Sequence, residues 1–199
     1  MNSKKQTLAY GALIAMAAAL AGCSGGPSKG DLKDGLAAYF KEKPQQACWN
    51  VENNQAVQWP IRIPIAGMNK TQLGILDGVN RSGVATVTSA PVQEGDGVTV
   101  LALTITLTDK GKSEKAWDPQ KGFCVGTRQV QDVNEFTLPN KDTDGMTDVK
   151  FTWHYDDLPG WVERDKFTKL PGMAAPVNDE AIMQKTNNGW RVQLSLIHI

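Results

Sequence analysis

The chain has 199 residues, with 21 Lys+Arg against 21 Asp+Glu, and 41% of it is apolar. That length is comfortable for one domain with a real core and thin for two. The balanced charge offers no basic surplus to a polyanion, which argues against nucleic acid as a partner and against electrostatic attachment to anionic lipid.

The N-terminus differs from the rest. Lys4 and Lys5 precede residues 8–21, an uncharged, Ala-rich run of 14 residues. A helix needs about 20 apolar residues to cross a bilayer core, so a basic flank and a short apolar run read as an export signal. The run closes on Leu20-Ala21-Gly22-Cys23, with Leu three residues before the cut and Cys directly after it. This resembles the lipobox of bacterial lipoproteins. The resemblance implies a diacylglycerol on the Cys23 sulfur, cleavage after Gly22 and acylation of the new amino group. One acyl chain holds a protein only marginally, whereas several on one residue hold it permanently. Ser24, where Asp would imply inner-membrane retention, implies sorting to the outer membrane, with the body facing the periplasm.

Processing removes both leader lysines, so the mature 177 residues carry 19 Lys+Arg against 21 Asp+Glu, a formal −2. With Cys23 taken by lipid, Cys48 and Cys124 remain as an isolated pair in an oxidising compartment, and a disulfide is expected. Residues 24–30 (Ser-Gly-Gly-Pro-Ser-Lys-Gly) hold no core-forming side chain and read as a tether reaching about 25 Å when extended. The body therefore sits close to its membrane.

Ser28 with Asp31 three residues on marks a helix start, and Leu32, Leu36, Tyr39 and Phe40 share one helical face before Pro44 ends it. Residues 58–65 alternate Ile with polar residues and contain two prolines, which predicts an edge strand. Asn69 or Thr71 caps a second helix with Leu73, Leu76 and Val79, stopping near Gly83. Residues 84–88 are extended, and after a Gly-rich turn residues 98–108 form the clearest strand. Leu101, Leu103, Ile105 and Leu107 face one way; Thr104, Thr106 and Thr108 face the other. Residues 123–138 predict a long strand whose apolar phase slips between Val125 and Val130, the mark of a bulge. Val149, Phe151, Trp153 and Tyr155 then alternate with polar residues, a half-buried antiparallel strand. Residues 158–173 accommodate one short helix, and a last strand begins at Trp190. Residues 194–199 break the alternation and read as a non-native tail.

Helix, hairpin and Leu107-Thr108-Asp109-Lys110-Gly111 over residues 69–111 resemble the helix-plus-wing of winged-helix domains. With Gly122-Phe123-Cys124-Val125-Gly126 and Asn188-Gly189-Trp190, the chain is similar to a group of bacterial envelope proteins with no assigned activity. A winged helix implies DNA binding; export, the charge of −2 and Gly78 inside the reading helix argue against it here.

Asn140, Asp142, Asp144, Gly145 and Asp148 match the first half of a calcium loop, yet position 12, which must supply a bidentate carboxylate, is Phe151. No metal and no cofactor is expected. His154 is the one credible titratable catalyst, with Asp156 or Asp157 to orient it, but no nucleophile pairs with it and no hydrolase signature is present. Of six tryptophans, Trp49 beside Cys48 is expected to pack on the disulfide and Trp161, in a Pro-Gly loop, to offer a contact surface.

The expected organisation is a signal peptide over 1–22, a lipidated tether over 23–30 and a single α+β domain over 31–199, with two N-terminal helices on a mostly antiparallel sheet. The expected function is that of a non-catalytic, lipid-anchored outer-membrane protein contacting an envelope protein or the cell wall. Two alternatives are a membrane-tethered hydrolase using His154 and a protein binding a small apolar or lipid ligand between sheet and helices.

Overall fold

A computed structural model describes residues 26–51, 57–93, 95 and 97–195. The expected signal peptide, Cys23 with the first part of the expected tether, and the last four residues of the expected tail lie outside the described residues. The described elements run α1 (Lys29–Glu42), β1 (Gln46–Trp49), β2 (Ile61–Pro64), α2 (Lys70–Arg81), β3 (Ala85–Gln93), β4 (Thr99–Leu107), α3 (Asp109–Ser113), β5 (Phe123–Phe136), β6 (Met146–Asp156), a single 3-10 turn (Arg164–Lys166), β7 (Val177–Thr186) and β8 (Gly189–Ser195).

The eight strands form two antiparallel sheets, one ordered β1-β5-β6-β7-β8 and the other β2-β4-β3. This corrects the expected α+β architecture. The molecule is mostly β, and its first two long helices are placed differently: α1 lies on β5 and β8 of the five-stranded sheet, while α2 sits where the two sheets meet, against β3 of one and β1 and β5 of the other. The winged-helix resemblance fails for a related reason. A helix and a hairpin do follow one another over residues 70–107, with β2 as the hairpin's third strand, but α1 packs on β5 and β8 and not beside α2, and α2 is covered on one side by residues 167–170.

Both helices start where their side chains dictate. Ser28 Oγ accepts from the Asp31 backbone N–H while Asp31 reaches back to Ser28, and Asn69 and Gln72 do the same for α2. Each reciprocal pair satisfies two N–H groups that the first helical turn leaves without partners. The Asp31 carboxyl is held below its usual range, first by the Ser28 hydroxyl and then by the Ser28 backbone N–H.

Strand β5 keeps one face on the core by slipping register. Phe123, Val125, Arg128, Val133 and Val149 on its neighbour β6 are all buried, although the β5 positions are spaced by two, three and five residues. Pairing with β1 shifts between Cys124 and Thr127, and pairing with β6 shifts between Val130 and Asp132 and again between Val133 and Glu135. Each slip inserts one residue and restores the inward phase. Strand β6 needs none: Val149, Phe151, Trp153 and Tyr155 are buried in strict alternation.

Candidate functional site

The disulfide Cys48–Cys124 joins directly opposed residues of β1 and β5 across 76 positions of sequence. The next pair in register, Trp49 and Phe123, points to the opposite face, as strand alternation requires. Trp49 therefore stacks on Phe123, with centroids 6.1 Å apart, and does not cover the disulfide. Phe123 is the hub of an aromatic seam between the two sheets. Trp117 meets it edge-on at 4.9 Å, Trp59 lies at 6.4 Å and Trp161 at 6.3 Å, and Trp161 continues to Phe167 at 5.9 Å. Trp161 is only 6% exposed. Its place is in this seam, not on a contact surface.

The loop that buries Trp161 runs on over α2. Gly74 and Gly78, one turn apart, let it come close: a Cβ at Gly78 would overlap the Phe167 ring, and one at Gly74 would meet the Leu170 backbone at 2.9 Å. Charges then fasten the two. Lys169 Nζ donates to Asp77 Oδ1 at 2.6 Å, and Arg81 donates to Thr168 Oγ1 at 2.7 Å and to the Asp165 carbonyl at 3.1 Å. Gly78, which disfavours a DNA-reading helix, is thus explained by packing.

Beside this clamp the cover runs out. The inner face of β4 carries Leu101, Leu103, Ile105 and Leu107, matched by Pro91, Ser89, Val87 and Ala85 of β3. Ile105 is sealed, whereas Leu101, two residues beyond Leu103 on the same face of β4, is 50% exposed, and Leu73 on α2 is 39% exposed. Between α2 and the β3–β4 hairpin lies an open groove of about 500 Å³. Leu73, Leu76, Val87, Leu103 and Pro171 form its apolar walls; Lys70, Asp77, Asn80 and Lys169 contribute polar groups. Asn80 is fixed by accepting the Val87 N–H at 2.9 Å, while Asp77 Oδ2 has no hydrogen-bond partner among the described residues. An apolar concavity with a few convergent polar groups is the form a binding site takes.

A second polar cluster is internal. Arg128, 8% exposed, lies 3.7 Å over the Trp153 ring and 3.5 Å from the Asp179 carboxylate. Its Nε and one terminal nitrogen, together with Trp153 Nε1, find no hydrogen-bond acceptor among the described residues. Burial pushes the neighbouring Tyr155 phenol above its usual range, and Arg128 pulls the other way.

His154 stands on the outer face of β6. Its Nε2 is 3.4 Å from Asp156 Oδ2, and Asp156 is shared with Arg164 at 3.0 Å. Asp157 accepts from Gln129 at 3.3 Å and does not reach the histidine's ring by any described contact. Among the described residues no hydroxyl or thiol contacts His154, and it lines neither the groove nor the two polar hollows near Trp190. The Asn140–Gly145 segment is a turn closed on itself: Asn140 Oδ1 accepts from the Asp142 and Thr143 N–H groups, and Gly145 adopts φ +73°. Among the described residues no three His, Cys, Asp or Glu side chains converge as a metal site.

No family model, curated protein or solved structure matches the chain.

Proposed function

We propose that this chain is a lipid-anchored protein of the bacterial outer membrane that binds, rather than transforms, an apolar segment of another envelope component. The lipobox at Leu20-Ala21-Gly22-Cys23 supports the anchor. The disulfide suits an oxidising compartment. The binding role is carried by one observation, the groove between α2 and the β3–β4 hairpin, whose apolar wall includes the half-exposed Leu73 and is continued along β4 from Leu103 to the exposed Leu101. A packed apolar surface that continues into solvent marks an interaction site. The groove's volume also favours a second reading, in which its occupant is a free acyl chain or similar small apolar molecule.

A photo-crosslinking side chain at Leu101, in the full-length protein in native membranes, tests both. A discrete protein adduct, lost when Leu73→Glu is added, is the expected result. An adduct of lipid mass would shift the assignment to the small ligand, and no adduct of either kind would overturn the binding role. The same preparation reports on the anchor, since Cys23→Ala should release the protein from the membrane fraction.

A further inference from the structure

The folded body has two poles, and the chain leaves from one of them. Three connections meet there: the start of α1, the turn between β5 and β6, and the turn between β7 and β8. Gly26, Pro139, Lys141, Asp144, Lys185 and Trp190 line a shallow hollow of about 570 Å³ at this pole. Pro27 is buried and Ser28 is locked into its capping box, so Gly26 is held at this pole. Leu138 lies against Gly26, close enough that a Cβ there would stand 3.2 Å from its Cδ2, and it is 70% exposed, the most exposed large apolar side chain described.

Only Ser24 and Gly25 stand between Cys23 and Gly26, three steps of chain. A fully extended chain covers at most about 3.6 Å per residue, so Cys23 lies within roughly 11 Å of Gly26. If Cys23 carries lipid, its sulfur is in the headgroup region. The surface around Gly26 cannot then stand away from the bilayer.

We infer that this pole rests on the phospholipid surface, with Leu138 seated at the interface and Lys141 and Lys185 facing phosphates, an assignment that rests on lipidation of Cys23. Asp142 and Asp144 share the pole, so the charge gain is small, and the chain length and the exposed leucine carry the orientation. Strand β5 converts this into a position for everything else. It runs from Phe136, two residues from Leu138, to Phe123 in the aromatic seam, and 14 residues of strand span roughly 45 Å less the shortening by its bulges. The seam, α2 and the groove therefore lie at the membrane-distal pole. The groove faces a partner across the periplasm and not the lipid of its own membrane.

The experiment places an environment-sensitive fluorophore, through a photoreactive or clickable unnatural side chain that leaves the cysteines alone, at position 138 or at position 101. The full-length protein is purified and reconstituted in phosphatidylethanolamine–phosphatidylglycerol vesicles. Iodide in the buffer and a spin-labelled lipid in the bilayer are the two quenchers, and mass spectrometry of the N-terminal peptide reports the lipid on Cys23. The expected result is a lipidated peptide, with position 138 quenched at least threefold more by the spin-labelled lipid than position 101, and the reverse order with iodide. Lipidated protein in which position 138 is quenched by iodide as readily as position 101 would overturn the orientation while leaving the anchor standing. Shielding of 138 from both quenchers would mean that protein covers this pole and would also overturn it. An unmodified Cys23 would overturn the anchor, and the orientation with it.

Discussion

The two sheets treat their apolar faces differently. In the five-stranded sheet, β6 buries every second side chain from Val149 to Tyr155, α1 covers it, and Phe40 meets Phe151 at 6.2 Å. In the three-stranded sheet the same alternation is present along β4, but α2 and the 167–170 segment cover only one end, and Leu101 and Leu73 are left in solvent. Alternation in sequence tells which face a side chain takes. Whether that face is sealed depends on how far its cover extends. The first sheet is covered along its length, and the second is covered at one end and open at the other, where binding is proposed.

Substitutions along this gradient sharpen or break the contrast. Phe123→Ala, at the junction of the sheets, should cost about 3–5 kcal/mol, since it removes a fully buried ring contacted by four tryptophans; urea denaturation measures it, and a loss below 1 kcal/mol would deny the seam its role. Replacing Cys48 and Cys124 together by Ala should lower stability by roughly 2–4 kcal/mol. Reduction of the unaltered protein should give a similar loss, with two hydrogens of added mass. Gly78→Ala tests the clamp on α2. Alanine gains about 1 kcal/mol in an exposed helix, but here the methyl meets the fully buried Phe167, so a net loss of about 1–2 kcal/mol is expected. A gain in melting temperature would show that the loop is free to move off the helix.

Tyr155 supplies the pH arm of the comparison. Its phenol is raised in the folded state, so its neutral form is favoured there, and the stability tied to it is complete below the unfolded value near 10. That contribution should fall as pH rises through the folded value. Melting curves from pH 9 to 11.5 should show a steeper alkaline decline for the unaltered protein than for Tyr155→Phe; parallel declines would sink the assignment. The smallest effect belongs to the open end. Leu73→Ser should change stability by no more than about 0.5 kcal/mol while abolishing capture at the groove, and a loss of several kcal/mol would mean that Leu73 belongs to the core after all.

The parts legible in the sequence were those set by local chemistry. The caps at Ser28 and Asn69, the edge position of β2, the strand face of β6 and the phase slip in β5 each follow from residues a few positions apart. The disulfide followed from counting cysteines once Cys23 was assigned elsewhere. Strands β1 and β7 gave no such signal. β1 has four residues just after Pro44, and β7 reads Val-Asn-Asp-Glu-Ala-Ile-Met-Gln-Lys-Thr, a polar run whose fully buried residues are only Ala181 and Met183. Its neighbours β6 and β8 hold it in the sheet, against weak local preference. Missing these two strands made the molecule look more helical than it is. Trp161 misled for another reason: a Pro-Gly loop suggests exposure, and only the fold brings Phe123 and Phe167 to either side of it. The groove was out of reach altogether, because it exists where the cover of a sheet ends.

The register slips of β5 have a consequence for how the gene tolerates change. Removing one residue from a regular strand turns every later side chain to the wrong face. Removing one of the extra residues, such as Gln131 or Asn134, would leave Val133 or Phe136 still directed inward against β6 and would only straighten the strand. The longest strand among the described residues is therefore the one in which single-residue deletions are survivable, at two defined places. A change of length at those places would leave the turn at Leu138 and the groove undisturbed.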